Sequence, residues 1–372
     1  MKVGTFLLPG GFPGRDHAAV LRASVDAAVA AEEAGFDDVW VAEHHFMTYG
    51  LCPSAVTLAG YLLGATRRIT VGTAVSVLPT VHPVALAEQA LLLDQVSGGR
   101  FRLGVGRGGP WVDLEVFATG ADRHGEAGFA ESLDLLLATL DGPSVAADGE
   151  RFRFREVPVT PAPRPGTTHG GVAPVLAATS TSGIAAAARR GLPMLLGMHA
   201  DDEEKARFTA AYSDAGGPPR MHLSAGIAHV EDTAARARTV VRASLPRWLE
   251  PGLAGYVRLD GAPRTPRDPR EYTELLCRLH PVGDAGHAIA RLTETAATTG
   301  IDHVVLLVDC TGDPARTAEN IARLGAEVLP YLPGREPVGD PGGHTAYRPR
   351  PSDASHGVRV TPQALPGPNG AH

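Results

Sequence analysis

The chain has 372 residues, 44% of them hydrophobic and 20% charged, with a formal net charge of −7. That length buries a large core without disulfide or metal staples, the composition is that of a folded domain, and an acidic balance with no basic, aromatic-interleaved cluster excludes a nucleic-acid surface. Cys52, Cys277 and Cys310 show no CxxC spacing, and no stretch is apolar enough for a signal peptide or membrane span, so a cytoplasmic protein is expected.

Short β-branched runs alternate with Ala- and Leu-rich stretches of helical spacing, the pattern of βα units around a parallel sheet. KVGTFLL (2–8) predicts a first strand, and a helix over 18–35 stops at Gly35, a residue suited to a C-cap. DDVWVAE (37–43) is a second strand. A helix from Pro53 to about Thr66 follows, with proline in its first turn, then the strand RITVGTAVSV (68–77), a helix from Pro83 and the strand RFRLGVG (100–106). Residues 142–163 break the rhythm, and ADGE between strand-like flanks predicts an inserted hairpin. The alternation resumes with strands at 173–180, 192–197 and 221–230, each followed by a helix. Residues 248–282 hold several prolines and no long period, which predicts a long loop of the lid kind. A helix over 284–300, the strand DHVVLLVDC (302–310) and a helix over 313–332 complete the series. Eight strand-helix repeats predict an α/β fold, a (β/α)8 barrel over residues 1–332, with a doubly wound sheet as competitor. The Pro- and Gly-rich segment 333–372 is expected to be disordered.

Glu43, His44 and His45 fall where the second strand ends, which in a barrel is the edge that carries active sites. All three are metal-ligand types. Adjacent strand residues point to opposite sides, however, so the two histidines reach one ion only if the chain has already turned. The other readings are one histidine facing the barrel mouth as general acid or base with its neighbour structural, or two histidines that merely finish the strand. GVGRGG (104–109) has the GxGxxG spacing, but Pro110 and Trp111 follow and no helix is expected before about Asp122, so the dinucleotide fingerprint is incomplete. The glycines instead let a loop pass close to a flat ligand, and Arg107 among them can grip an anion. Thr179, Ser180, Thr181 and Ser182 precede a helix and offer a phosphate cradle, of which ordinary N-capping uses one hydroxyl.

EEAGFDDVWVAEHHF (32–46), the long segment from Leu62 to Gly108, RRGLPMLL (189–196) and ATTGIDHVVLLVD (297–309) resemble, in order, the bacterial luciferase family, and the similarity runs to about Tyr331. The resemblance implies a TIM barrel that binds reduced FMN (FMNH2), supplied by a separate flavin reductase, and uses O2 through a flavin 4a-hydroperoxide to oxygenate an organic substrate. Carried over residue by residue, His44 is the catalytic histidine beside the flavin; Glu43 is expected at the cofactor site and to orient His44, whose imidazole is expected to titrate near the working pH. Arg107 and the turn Thr179, Ser180, Thr181, Ser182 hold the FMN phosphate. Ala74 and Val75 form a non-proline cis peptide under the isoalloxazine. Where the luciferases carry a reactive cysteine this chain has Gly106, and Thr179 replaces an acidic residue. Those departures imply oxygen activation without a thiol, more room over the ring and a substrate other than a fatty aldehyde, such as a secondary metabolite. A homodimer through the second and third helices is implied as well, with Ala59, Gly60 and Gly64 permitting close approach. The alternatives are a deazaflavin-dependent hydride-transfer oxidoreductase and a non-catalytic flavin-binding partner subunit.

Overall fold

The computed structural model describes residues 1–117, 120–257 and 267–335. Apart from its first three residues, the segment expected to be disordered lies outside the described residues.

The first half of the chain runs β1 (Lys2–Leu7), α1 (His17–Glu33), β2 (Asp38–Val41), α2 (Ala55–Ala65), β3 (Thr70–Thr73), β4 (Ser76–Val77), α3 (Pro83–Val96), β5 (Phe101–Arg102), β6 (Gly104–Gly106), α4 (Trp111–Val116), α5 (Gly120–His124) and α6 (Glu126–Asp141). An antiparallel hairpin, β7 (Ser144–Asp148) and β8 (Arg153–Pro158), follows where the sequence predicts it. The second half runs β9 (Val175–Ala177), α7 (Thr181–Arg189), β10 (Met194–Leu196), α8 (Asp202–Asp214), β11 (Leu223–Ile227), β12 (His229–Val230), α9 (Ala234–Ala254), α10 (Pro269–Leu279), β13 (Val282–Gly283), α11 (Ala285–Thr299), β14 (His303–Leu307) and α12 (Pro314–Arg323). Among the described residues no helix is long and apolar enough to cross a membrane.

All ten strands of the main sheet are parallel, in the order β4-β6-β9-β10-β11-β14-β1-β2-β3-β5. β3 and β4 are two stretches of one strand, parted at Ala74–Val75, and β5 and β6 of another, parted at Leu103. With β3 paired to β5 and β4 to β6, the row closes on itself as an eight-stave barrel, as the alternation predicts. The Ala74–Val75 peptide is cis.

Side-chain alternation sorts the core into an inner and an outer layer. Phe6 on β1 and Leu8 just after it, Trp40 on β2 and Ala42 just after it, and Leu223, Ala225 and Ile227 on β11 form the barrel interior. Val3, Leu7, Val39 and Val41, with the opposite parity, pack outward against the helices.

Three elements differ from the sequence reading, and each holds or adjoins a proline. Residues 248–282 are not one long loop. α9 continues through Pro246 and Pro251 to Ala254, and α10 begins at Pro269 with Asp268 as its N-cap, the carboxylate accepting the amides of Arg270 and Glu271. Proline at a first helical position loses no hydrogen bond. α4 starts directly after Pro110, its N-cap, well before the expected Asp122.

Candidate active site

The parity that puts Trp40 and Ala42 inside the barrel carries His44 inside as well, and turns Glu43 and His45 outward. His44 lines a cavity of about 300 Å3 at the C-terminal mouth of the barrel. Glu43 and His45 line a separate cavity of about 520 Å3 behind the barrel wall, together with Phe46 and Phe117. The histidine pair is therefore split, and among the described residues no cluster suits a metal ion.

Among the described residues no hydrogen bond or ion pair joins the Glu43 carboxylate to His44. The two carboxylate oxygens accept the amides of Val77 and Ala55, each at 2.9 Å, tying β4 to the first turn of α2. His45 Nε2 lies 3.4 Å from the same carboxylate. The ring of His44 instead meets Tyr49 edge to face, with centroids 5.0 Å apart, and Tyr49 stacks on Trp248 of α9, whose indole N–H donates to the Tyr49 carbonyl at 2.9 Å. His44 Nδ1 is buried and has no hydrogen-bond partner. Burial, with His45 adding to it, pushes the His44 imidazole down to about 4. The expectation of a histidine titrating near the working pH is thus replaced by one that is neutral at pH 7, because desolvation disfavours the imidazolium.

A second cavity of about 300 Å3 adjoins the first and shares Val75, Ala177, Thr179 and Tyr256 with it. Arg107, Ser180 and Ser182 line its far end, beside the N-terminus of α7. Ser180 is the N-cap, its hydroxyl accepting the Gly183 amide at 3.2 Å, so one hydroxyl of the run does the capping. Ser182 remains toward the cavity, and Thr181 is the first helical residue and lines neither cavity. The structure thus brings His44, Ala74, Val75, Arg107, Thr179, Ser180 and Ser182 around one joined space and leaves Glu43 outside it.

Gly106 does not leave the expected room. A Cβ there would fall 2.5 Å from Val75 Cγ2 and 3.5 Å from Ala177 Cβ, so the Val75 side chain already fills that place.

A family model described as luciferase-like monooxygenase matches residues 1–326. The chain belongs to the luciferase-like monooxygenase family. Alkanal monooxygenase alpha chain from Photorhabdus luminescens is 30% identical over 356 residues, spanning 89% of this chain and 98% of that one. Among solved structures, monooxygenase RslO1 from Streptomyces bottropensis superposes with a TM-score of 0.77 at 22% identity, covering 89% of this chain and 99% of its own. The oxygenating constituent of 3,6-diketocamphane monooxygenase from Pseudomonas putida, solved with FMN, superposes with a TM-score of 0.71 at 20% identity, covering 89% and 98%. At these identities the two structures speak for the fold, a luciferase-like TIM barrel.

Sequence reasoning missed several wall residues of this family member. Leu195 on β10, and Met198 and His199 just beyond its C-terminal end, could have been found by the rule that barrel sites gather at strand C-termini. Tyr256, Arg267 and Tyr272 come from the α9–α10 region, where only its expected role as a cover pointed to them.

Proposed function

We propose that this protein is an FMNH2-dependent monooxygenase that puts one oxygen atom from O2 into an organic substrate, with the flavin reduced by a separate reductase. Family membership supports the reading. The observation that carries it is the joined cavity, with an arginine and a helix N-terminus at one end and a half-buried, neutral imidazole at the other.

The residues fit the cofactor. Arg107 has no carboxylate partner among the described residues, although it lines a cavity. An unpaired guanidinium beside the open N–H groups of α7 suits a phosphate dianion. Between the ends, Ala74, Val75 and Ala177 present small apolar surfaces against which a flat ring can lie. Reduced flavin would supply the electrons that activate O2. Arg107, Thr179, Ser180, Ser182 and the Thr181 amide would hold its phosphate, and Ala74 and Val75 its ring. His44, neutral at working pH and in the cavity wall, would accept or donate one proton. Glu43 would act at one remove, by fixing β4 through the Val77 amide. Tyr256 and Arg267 from the α9–α10 region would keep water from the reacting atoms.

The exposed Tyr61 on α2 and Leu92 and Val96 on α3 support a homodimer through those helices, which sedimentation at low concentration tests. The function itself is tested by supplying the protein with FMNH2, oxygen-18 gas and an extract of cells lacking it. A product carrying a single labelled oxygen supports the reading. Turnover of the same compound without oxygen contradicts it and restores the deazaflavin alternative.

A further inference from the structure

Arg267 stands in the wall of the His44 cavity, immediately ahead of α10, with its guanidinium 4.9 Å from the ring centroid of Tyr272. Among the described residues it has no carboxylate partner. Its neighbour Asp268 is the N-cap of α10, its Oδ1 accepting two backbone amides, and forms no ion pair with Arg267 among the described residues. Arg242 on α9 makes the contrast, since both of its donors meet the two oxygens of Glu274 at 2.6 and 2.7 Å.

The rest of the wall sharpens the imbalance. No aspartate or glutamate lines this cavity, and Arg267 is its one fixed positive charge among the described residues. The floor is apolar, formed by Phe6, Leu8, Leu195 and Ala225. A guanidinium stacked on an aromatic ring and partly withdrawn from water, with no counterion among the described residues, is a receptor for an anion. Phosphate is not the anion that explains it. Arg107 faces the adjoining cavity and Arg267 does not, so the two cations serve different ends of the joined space.

We propose that the substrate carries an anionic oxygen group, a carboxylate or an ionised phenol or enol, on an apolar ring-bearing body, and that Arg267 pairs with that group while the body rests on Phe6, Leu195 and Ala225 near His44. This inference rests on the flavin reading for what reacts, and assigns the chemical class of what is bound. Stacking on Tyr272 holds the guanidinium at the cavity edge, so Arg267 orients the substrate and stays apart from the proton transfer assigned to His44.

The test titrates the FMN-loaded protein with naphthoate and with its neutral isostere naphthamide, read by the change in flavin absorbance. Naphthoate is expected to bind about tenfold tighter or more, the scale of one hydrogen-bonded charge. Arg267→Gln should erase that gap while leaving naphthamide and FMN binding as they were, and Arg267→Lys should keep part of it. Equal binding of the two probes to the unaltered protein, a gap that survives Arg267→Gln, or a loss of FMN affinity in that variant would each overturn the proposal. Should FMN itself fail to bind, the flavin reading fails. The same probes read by tryptophan fluorescence then still decide Arg267.

Discussion

Val75 occupies the space that a side chain at residue 106 would need, with its Cγ2 only 2.5 Å from where a Gly106 Cβ would stand. Val75 also lines both cavities, so this contact sets the width of their junction. Gly106→Ala should force Val75 aside, cost about 1–3 kcal/mol as overpacking does, and weaken FMN binding. Adding Val75→Ala should restore much of both. Urea midpoints and flavin titrations of the two single variants and the double variant measure the coupling, and strictly additive effects would show that the two positions do not compete for space.

Glu43 is a clamp with a checkable energy. Removing its carboxylate strands the amides of Val77 and Ala55 in a mostly buried place. Glu43→Ala should therefore lower stability by about 2–4 kcal/mol, two hydrogen bonds to a charged acceptor, while Glu43→Gln, which keeps one acceptor oxygen, should lose less. A Glu43→Ala protein of unchanged stability that no longer binds FMN would give this residue a direct cofactor role instead.

Acid should destabilise the fold from just below neutrality. Burial holds His44 and His222 down to about 4, and His280, beside Lys205, down to about 3. The unfolded chain titrates these groups near 6.5, so below that pH it binds more protons than the native state. Their contribution is complete above about pH 6.5 and is lost as pH falls toward the native values. Asp113 acts in the opposite sense. Burial, with Glu43 adding and His45 opposing, raises it to about 6, so it favours the folded state at lower pH and ceases to as pH rises through that value. Three groups outweigh one, and urea midpoints should drop between pH 6.5 and 4.5. A flat profile over that range would contradict the burial of these histidines.

His44 should act as a neutral base or donor, so no activity loss between pH 7 and about 5 should trace to its protonation. His44→Ala is expected to keep FMN affinity within a few-fold of normal, because Arg107 and the α7 turn hold the phosphate, and to lose product formation. Normal product yield from that variant would remove His44 from the chemistry.

The barrel was legible because periodicity carries it: eight apolar runs, each with its helix, and the alternation that separates His44 from His45. Alternation also assigns Glu43 to the outer face with His45, since residues two apart share a side. What sequence alone could not supply was the identity of its partners, for Ala55 and Val77 lie 12 and 34 residues away. Pro110, Pro246, Pro251 and Pro269 were misleading because proline reads as a breaker. Here it opens helices or sits within one, where the caps and packing that decide the matter are tertiary. The depressed titration of His44 likewise depends on how far the barrel mouth withdraws its ring from water, a property of eight strands together rather than of any local motif.

The account stands most directly on the phosphate end of the joined cavity. Equilibrium titration of the protein with reduced FMN and reduced riboflavin, alongside Arg107→Ala, tests it. FMN should bind tighter than riboflavin by about 1.5–3 kcal/mol, and Arg107→Ala should remove most of that difference while leaving riboflavin binding unchanged. Equal affinity for the two flavins, or an FMN preference untouched in Arg107→Ala, would contradict the placement of the cofactor between Arg107 and His44.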